Sequence, residues 1–564
     1  MPKIETPALC TVKINNNEIK YSINSIELKQ FIDNHHELTV ALRQDIIGDD
    51  RIDDPEPYTA FLGKSISLGI APTGDKVSAS LALEFIGIVT EVRFENSIDE
   101  VNILVITAKS PTISMDGAKK NTFSFDQTAS DIIGGILRNY PLTLGRIEST
   151  SGTLRFSVQY RETDYEYVMR LAAAAGKFAY YDGKEFRVVS ASSTDEHELK
   201  WRELLGSFSL GLGTTSANFA AQIYNYEQDK LFSQDTTSLS GSTSLSAVSK
   251  KSPEASKVIF PDSGYSGDAS SVDNARALDA VLTNEKSRSM AKMIKCHGHS
   301  IVPNVAVGHC IKISGMDSFN QQFWVTKIIH LFDKTGKYHN EFECTPLDIA
   351  YPANSATISR PHTSIQTATV VDNVDPDDLG RIKVKFPWNS SNETVWIRFL
   401  SANAGKDRGW FCLPEIDDEV LVAFEEGNPD FPIALGALYN KGNTIPQEAM
   451  SNQVDCTRVF KTKSGNLILI IDKDGNEAIE ISQKDGKNAI VLSLSGPSLH
   501  ITSDGGDIIM RANNITIEAD SEIKLEAGSN ATVKAGGNMK LEASANQNIK
   551  GAMVKVEGNP INLN

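Results

Sequence analysis

At 564 residues, with 40% hydrophobic and 23% charged side chains, the chain has the make-up of an ordinary folded protein and is too long for one core, so roughly two to four domains are expected. Its formal net charge of −17 excludes a basic nucleic-acid-binding face and fits an acidic, solvated surface. No run approaches the roughly 18 apolar residues of a membrane span, and Met1-Pro2-Lys3-Ile4-Glu5 lacks the basic-then-apolar start of a secretory signal. Cys10, Cys296, Cys310, Cys344, Cys412 and Cys456 are scattered without CxxC pairing, which reads as reduced thiols in a cytosolic protein.

The first hundred residues alternate as short strands. Val12 and Ile14 precede a turn at Asn15-Asn16-Asn17, then Ile19, Tyr21 and Ile23 alternate, and Val101, Ile103 and Val105 form another run. Two helices interrupt them. Thr128 is placed to cap a helix with Ile132, Ile133, Ile136, Leu137 and Tyr140 on one face, and Thr163 with Glu166 forms a capping box before Tyr167, Val168 and Leu171, ending at Gly176. The Ser-rich stretch 233–257 reads as a flexible loop, and a helix is expected from about Asp273 to Met293. Strands resume through Phe342. Pro352 to Pro361 marks a boundary, a compact unit of short strands runs from Ala368 to Tyr439, and a linker at 443–456 precedes the C-terminal segment, where Leu467 to Ile471 is a strand.

From 514 onward the sequence repeats in eights: NITIEADS, EIKLEAGS, NATVKAGG, NMKLEASA, NQNIKGAM. Ile517, Leu525, Val533, Leu541 and Ile549 hold the fourth place, and counting back by eight gives Ile509 and Ile501. Apolar alternation within each unit (Ile515, Ile517) implies a strand of about four residues with one face buried. A single chain leaves such strands with open edges, and eight residues are too few for a full turn of a single-chain coil, whose rungs need roughly 20. Three chains wound together pair every strand and close a triangular prism around the octad residues. The expected product is a trimeric β-helix needle gaining about 4.7 Å per octad.

Three segments are similar to VgrG proteins of type VI secretion systems and the related spikes of extracellular contractile injection systems and phage tails. The first is Gln159-Tyr160-Arg161-Glu162-Thr163-Asp164-Tyr165 with Arg170 and Gly176, which resembles the family's hub signature. The second resembles its OB-fold module and carries Gly380, Arg381, Trp388, Trp396, Arg398 and Glu419. The third is the octad segment. Asp417 and Asn428 stand where the family usually has Gly and Asp, at turns that Asp and Asn tolerate. The resemblance implies a mostly β chain: a hub of small β-barrel-like domains with a few helices (1–355), an OB-fold (362–442) and a C-terminal triple-stranded β-helix formed by a homotrimer (457–564). It also implies tube, baseplate and effector partners, a PAAR-like tip protein, transient contact with a target membrane, and residence in the cytoplasm until the machine exports the chain.

Alternatives remain open at this point: a trimeric adhesin or tail fibre, or a cell-wall hydrolase with its domain in 180–300. No Gly-x-Ser-x-Gly elbow or Walker A loop occurs, and Glu518, Glu522 and Glu526 fall on the solvent face of the repeat, so no catalytic residue and no cofactor is assigned. Cys296-His297-Gly298-His299, with His309-Cys310, has zinc-binding residue types at no standard spacing, and no metal site is assigned. His500 is the sole histidine of the repeat segment, so a metal-free tip is expected. Arg381, Trp388, Trp396 and Arg398 are expected to pack between protomers rather than to hold an oligosaccharide or nucleic acid. The chain closes with Gly558-Asn559-Pro560-Ile561-Asn562-Leu563-Asn564, so no effector enzyme is expected after the needle.

Overall fold

The computed structural model describes residues 4–19, 22–43, 59–95, 103–237, 245–266, 274–316, 319–352, 361–389, 393–450 and 457–562. Tyr21, Val101, Asp273, most of the 352–361 boundary, the end of the 443–456 linker and the middle of the Ser-rich stretch lie outside them. The chain divides into two compact units, 1–444 and 445–564.

In the first unit, eight antiparallel strands close into a ring. In spatial order they are Thr6–Ile14, Ser65–Pro72, Leu83–Glu95, Ile103–Lys109, Glu37–Arg43, Ser22–Phe31, Phe319–Asp333 and Lys337–Pro346; Thr6 and Pro7 pair with Tyr338 and Lys337 to complete the circle. Closure satisfies every strand edge along the ring. Asn15 and Asn16 take φ of 50° and 66° in the first turn, a conformation that Asn accepts better than other non-glycine residues. In the strand Ile103–Lys109 the residues belonging to the core are Leu104, Ile106 and Ala108, one place out of phase with the expected Ile103 and Val105. Val105 is buried as well, and a strand covered on both sides gives no clean alternation.

The last two ring strands form a long hairpin, beyond which the same sheet continues into further strands. Ile294–Ser300 pairs with Lys337–Pro346 on one side and Leu205–Leu212 on the other, while Cys310–Met316 joins Phe319–Asp333 and Glu196–Lys200. This sheet encloses a separate core of residues such as Leu205, Ile311, Phe323, Trp324 and Phe342. Two barrel-like cores thus share one hairpin.

Helices α1 (Ala129–Leu137) and α2 (Asp164–Ala174) pack on the first core, each capped as predicted: Thr128 accepts from the Asp131 N–H, and Thr163 with Glu166 completes the capping box. Tyr140 lies beyond the end of α1. The described parts of the Ser-rich stretch are largely regular structure, not loop. Lys230–Asp235 is a strand and Ala247–Ile259 a helix (α3), and the expected helix follows as α4, Ala275–Met293. The serines of α3 read as linker by composition, but their hydroxyls find partners. Ser246 caps the helix, Ser249 donates to Asp348 at 2.7 Å and Ser256 to the Ser252 carbonyl at 2.7 Å. Small hydroxylated side chains can therefore be buried here without an unpaired polar group.

Residues 366–437 close a five-stranded barrel. Lys383–Lys385, Gln366–Asp372, Glu419–Phe424, Pro432–Ala437 and Arg398–Phe399 are neighbours in that order, and reciprocal hydrogen bonds between Ile382 and Ile397 (3.0 and 2.8 Å) join the ends. Five short strands in a closed barrel are the architecture of an OB-fold. Asp417 takes φ 74°, the left-handed conformation that makes Gly usual at such a turn, whereas Asn428, at φ −79°, is in ordinary backbone.

The second unit begins with a five-stranded antiparallel meander: Thr457–Lys461, Leu467–Ile471, Ala478–Ser482, Asn488–Ser493 and Ser498–Ser503. Its register lines up two apolar rows on one face, Phe460-Ile468-Ile481-Ile490-Ile501 and Ile470-Ile479-Leu492-Leu499. All nine side chains are exposed. Residues 504–562 follow with no strand pairing within the chain, and every one of them is exposed.

Candidate functional site

The hub signature residues meet at the start of α2. The helix begins at Asp164, whose carboxylate accepts from Gln159 Nε2 at 2.9 Å, Lys120 Nζ at 2.7 Å and Tyr140 Oη at 2.5 Å. Burial alone would raise this carboxyl, but the three donors hold it below its ordinary value. Nearly two turns on, Arg170 forms a two-pronged pair with Glu162, both contacts at 2.7 Å, and Nη2 also donates to the Val158 carbonyl. Both side chains are buried. Although burial opposes charge on Arg170, Glu162 more than offsets it and raises the guanidinium above its usual value.

Helix α2 ends in a Schellman turn, with the Lys177 N–H bound to the Ala172 carbonyl and the Gly176 N–H to Ala173. Gly176 has φ 71°, and a Cβ there would come within 2.3 Å of Tyr351 Oη. Arg288 and Asn284, both from α4, donate to the terminal carbonyls of Ala173 and Ala174 at 2.8 and 2.9 Å. A cation at a helix C-terminus complements its dipole.

The same strand that carries Gln159 and Tyr160 runs into the five-stranded barrel. Phe123, Phe156, Val158 and Tyr160 from the paired strands Lys120–Thr128 and Thr153–Glu162 share one core with Phe386, Val384, Val420 and Ile397. Trp388 is stacked on Phe386 (5.0 Å, 11°) and meets Phe123 and Tyr160 edge-on. Its indole N–H donates to Gln366, which in turn donates to Tyr160 Oη at 3.0 Å. The Val158 N–H donates to Asp430 at 2.7 Å.

A charged cluster flanks this shared core. Arg381 is 1% exposed and is bound by Asp375 through two nitrogens at 2.9 and 2.7 Å, by Asp377, and by Glu227 at 2.8 Å. Glu227 also accepts from Arg155 at 2.7 Å. The Asp375 carboxylate further accepts from the backbone N–H groups of Asp377, Leu379 and Arg381, which folds the turn in which Gly380 takes φ 69°. Arg381 holds the Asp375 carboxyl far below the usual carboxylate range, and Asp375 raises Arg381 in return. Arg398 lies over the Tyr226 ring at 4.7 Å. Glu419 accepts from Asn440, and Trp396 carries the Lys383 ammonium at 5.2 Å.

The structure therefore brings the hub and OB signature residues together, which their spacing in sequence did not indicate. Arg381, Trp388 and Arg398, expected to pack between protomers, find the partners Glu227, Tyr160 and Tyr226 within the same chain. Asp375, Glu227, Gln366, Asp430 and Arg288 were missed as joint residues. No cap or hydrophobic periodicity marks these five as meeting points.

The Cys-His cluster is dispersed. Cys296 stands opposite Cys344, His299 packs on His339 (4.9 Å), and His309 Nδ1 lies 2.9 Å from His197 Nε2, with burial lowering His309 to about 4. Among the described residues no three metal-ligating side chains converge. The octad residues are placed on open surface, from Ile501 at 55% to Leu525 at 87% exposure.

Residues 366–439 match the family described as type VI secretion system/phage-baseplate injector OB domain. A match to an Alg8 N-terminal domain spans 78–333, a stretch that cuts the shared hairpin between its two strands and corresponds to no closed unit of this fold. The chain is 24% identical over 419 residues to the type VI secretion system spike protein VgrG1a of Pseudomonas aeruginosa, covering 65% of this chain and 62% of that protein. It is 25% identical over 374 residues to VgrG1b of the same organism, covering 58% and 48%. The chain thus spans about half to three-fifths of the length of these curated relatives. In fold it is similar to the E. coli c3393 protein, a type VI component described as similar to T4 tail proteins gp27 and gp5 (TM-score 0.51, 16% identity, 76% of this chain and 99% of that one). It is also similar to a chain of the Francisella PdpA–VgrG complex (TM-score 0.55, 9% identity, 89% and 80%). In sequence and in fold, the chain is similar to VgrG spike proteins.

Proposed function

We propose that the chain is the central spike subunit of a contractile injection or secretion machine and works mechanically, as a homotrimer, without catalysing a reaction. The observation that carries this is the apolar surface of the second unit. The nine-residue face of the meander and Ile509, Ile517, Leu525, Val533, Leu541 and Ile549 beyond it are all exposed in one chain. At about 25 cal/mol per Å², leaving that area in water is a large standing cost, and an unpartnered apolar patch of this kind marks an interface. Two further copies remove it by turning these side chains toward a common axis and supplying strand partners for 504–562.

In this reading the hub sits on the tube and in the baseplate, and the joint of Glu162–Arg170, Trp388 and Arg381 couples hub to OB module stiffly enough to pass on thrust. The needle end receives a PAAR-like tip protein and effectors, meets the target membrane only during firing, and leaves the cell with the machine. Light scattering coupled to size exclusion tests the assembly. A mass near three times 61.5 kDa is expected, and a monomer at micromolar concentration would overturn the reading.

A further inference from the structure

An octad repeat fixes which residues face the axis, but not which octad lies beside which. Ile517, Leu525, Val533, Leu541 and Ile549 are near-equivalent, so a chain displaced by one whole octad fills the axis almost as well. Register has to come from residues that differ between octads.

We infer that the exposed charges of the repeat form inter-chain ladders that set this register, the partner being a second and third copy of this chain; the inference rests on the trimeric reading above. If each octad occupies one face of the prism, the next octad of the same chain moves to the next face. By threefold symmetry, successive strands on any one face are then consecutive octads from different chains, about 4.7 Å apart. Same-position residues stack up each face.

The fifth position reads Glu518, Glu526, Lys534, Glu542, Lys550, and from Glu526 onward every neighbour has the opposite sign. The third position reads Thr516, Lys524, Thr532, Lys540, Asn548, so its two lysines are separated by a neutral residue. Within a chain Lys524 reaches Glu526 and Lys540 reaches Glu542, each at 2.6 Å, with all four side chains exposed. The two columns therefore stand side by side. Sliding one chain by an octad places a Glu542 between Glu526 and Glu542 of its neighbours. Like charges in adjacent strands repel.

Two acidic substitutions in one octad test this in the full chain. K534E leaves four consecutive glutamates in the fifth-position column of every face, whereas T532E sets a glutamate between Lys524 and Lys540 of the adjacent strands. With trimer mass checked for each, the melting temperature of K534E should fall by about 5 °C at low salt, while T532E should equal or exceed the parent. Both differences should shrink at high salt, because exposed charges are screened. A T532E loss of about half that of K534E or more, as added negative charge alone would produce (one charge against two), or a K534E loss unaffected by salt, would overturn the ladder while the trimer stands. A monomeric parent would instead remove the trimeric reading and the ladder with it.

Discussion

The hub–OB joint and the octad segment use similar residue types toward opposite ends. At the joint, Phe123, Phe156, Tyr160, Phe386 and Trp388 bury one another within a single chain, and the charges around them are paired there. In the octads, Ile517, Leu525 and Val533 stay 62–87% exposed and the strands have no partner in the same chain. One region buries its apolar side chains within the chain; the other leaves them open. The difference comes from spacing. Barrel strands separated by turns and long connections can fold back on one another, whereas a four-residue strand repeated every eight residues keeps advancing and cannot cover its own edge.

The strongest way to break this comparison is Leu525→Asp. Burying three carboxylates about one axis is prohibitive unless they are neutralised, so the trimer should be lost by mass measurement while 1–444 keeps its own unfolding transition. A trimer of unchanged thermal stability would refute the axial placement. At the joint, Glu162→Ala removes one member of a buried pair and leaves Arg170 charged and uncompensated. A loss of about 3–5 kcal/mol is expected from denaturant unfolding, with no effect on subunit stoichiometry before the transition.

Acid sharpens the contrast. The Asp375 carboxyl is held far below its unfolded value by Arg381. Its contribution is therefore fully present above the unfolded value of about 4 and is lost as pH falls from there toward the depressed folded value. Unfolding of 1–444 should become steeply pH-dependent below about pH 4, and Asp375→Asn should flatten that slope; an unchanged slope would show that the Arg381 cluster does not govern acid stability. The smallest effect belongs to Thr163→Ala, which removes the helix cap and the 2.7 Å bond to Asp116. About 1 kcal/mol is expected, again confined to the first unit.

Local rules carried far along this chain. The cap at Thr128, the capping box at Thr163, the left-handed Gly176 and the Asn15-Asn16 turn are short-range statements about backbone geometry and side-chain spacing, and each is written in adjacent residues. Composition served less well: the serines of α3 look like linker, because nothing nearby reveals that Asp348 and the Ser252 carbonyl will receive their hydroxyls. The phase of Ile103–Lys109 failed for a related reason, since burial on both faces erases alternation. What only the tertiary structure decided is the meeting of distant groups. Val158 reaches Asp430, Tyr160 reaches Gln366 and Trp388, and Arg381 reaches Glu227 and through it Arg155. Contacts across 154 to 272 residues depend on how the paired strands Lys120–Thr128 and Thr153–Glu162 and the turn at Glu227 pack on the five-stranded barrel, and no periodicity or cap encodes that.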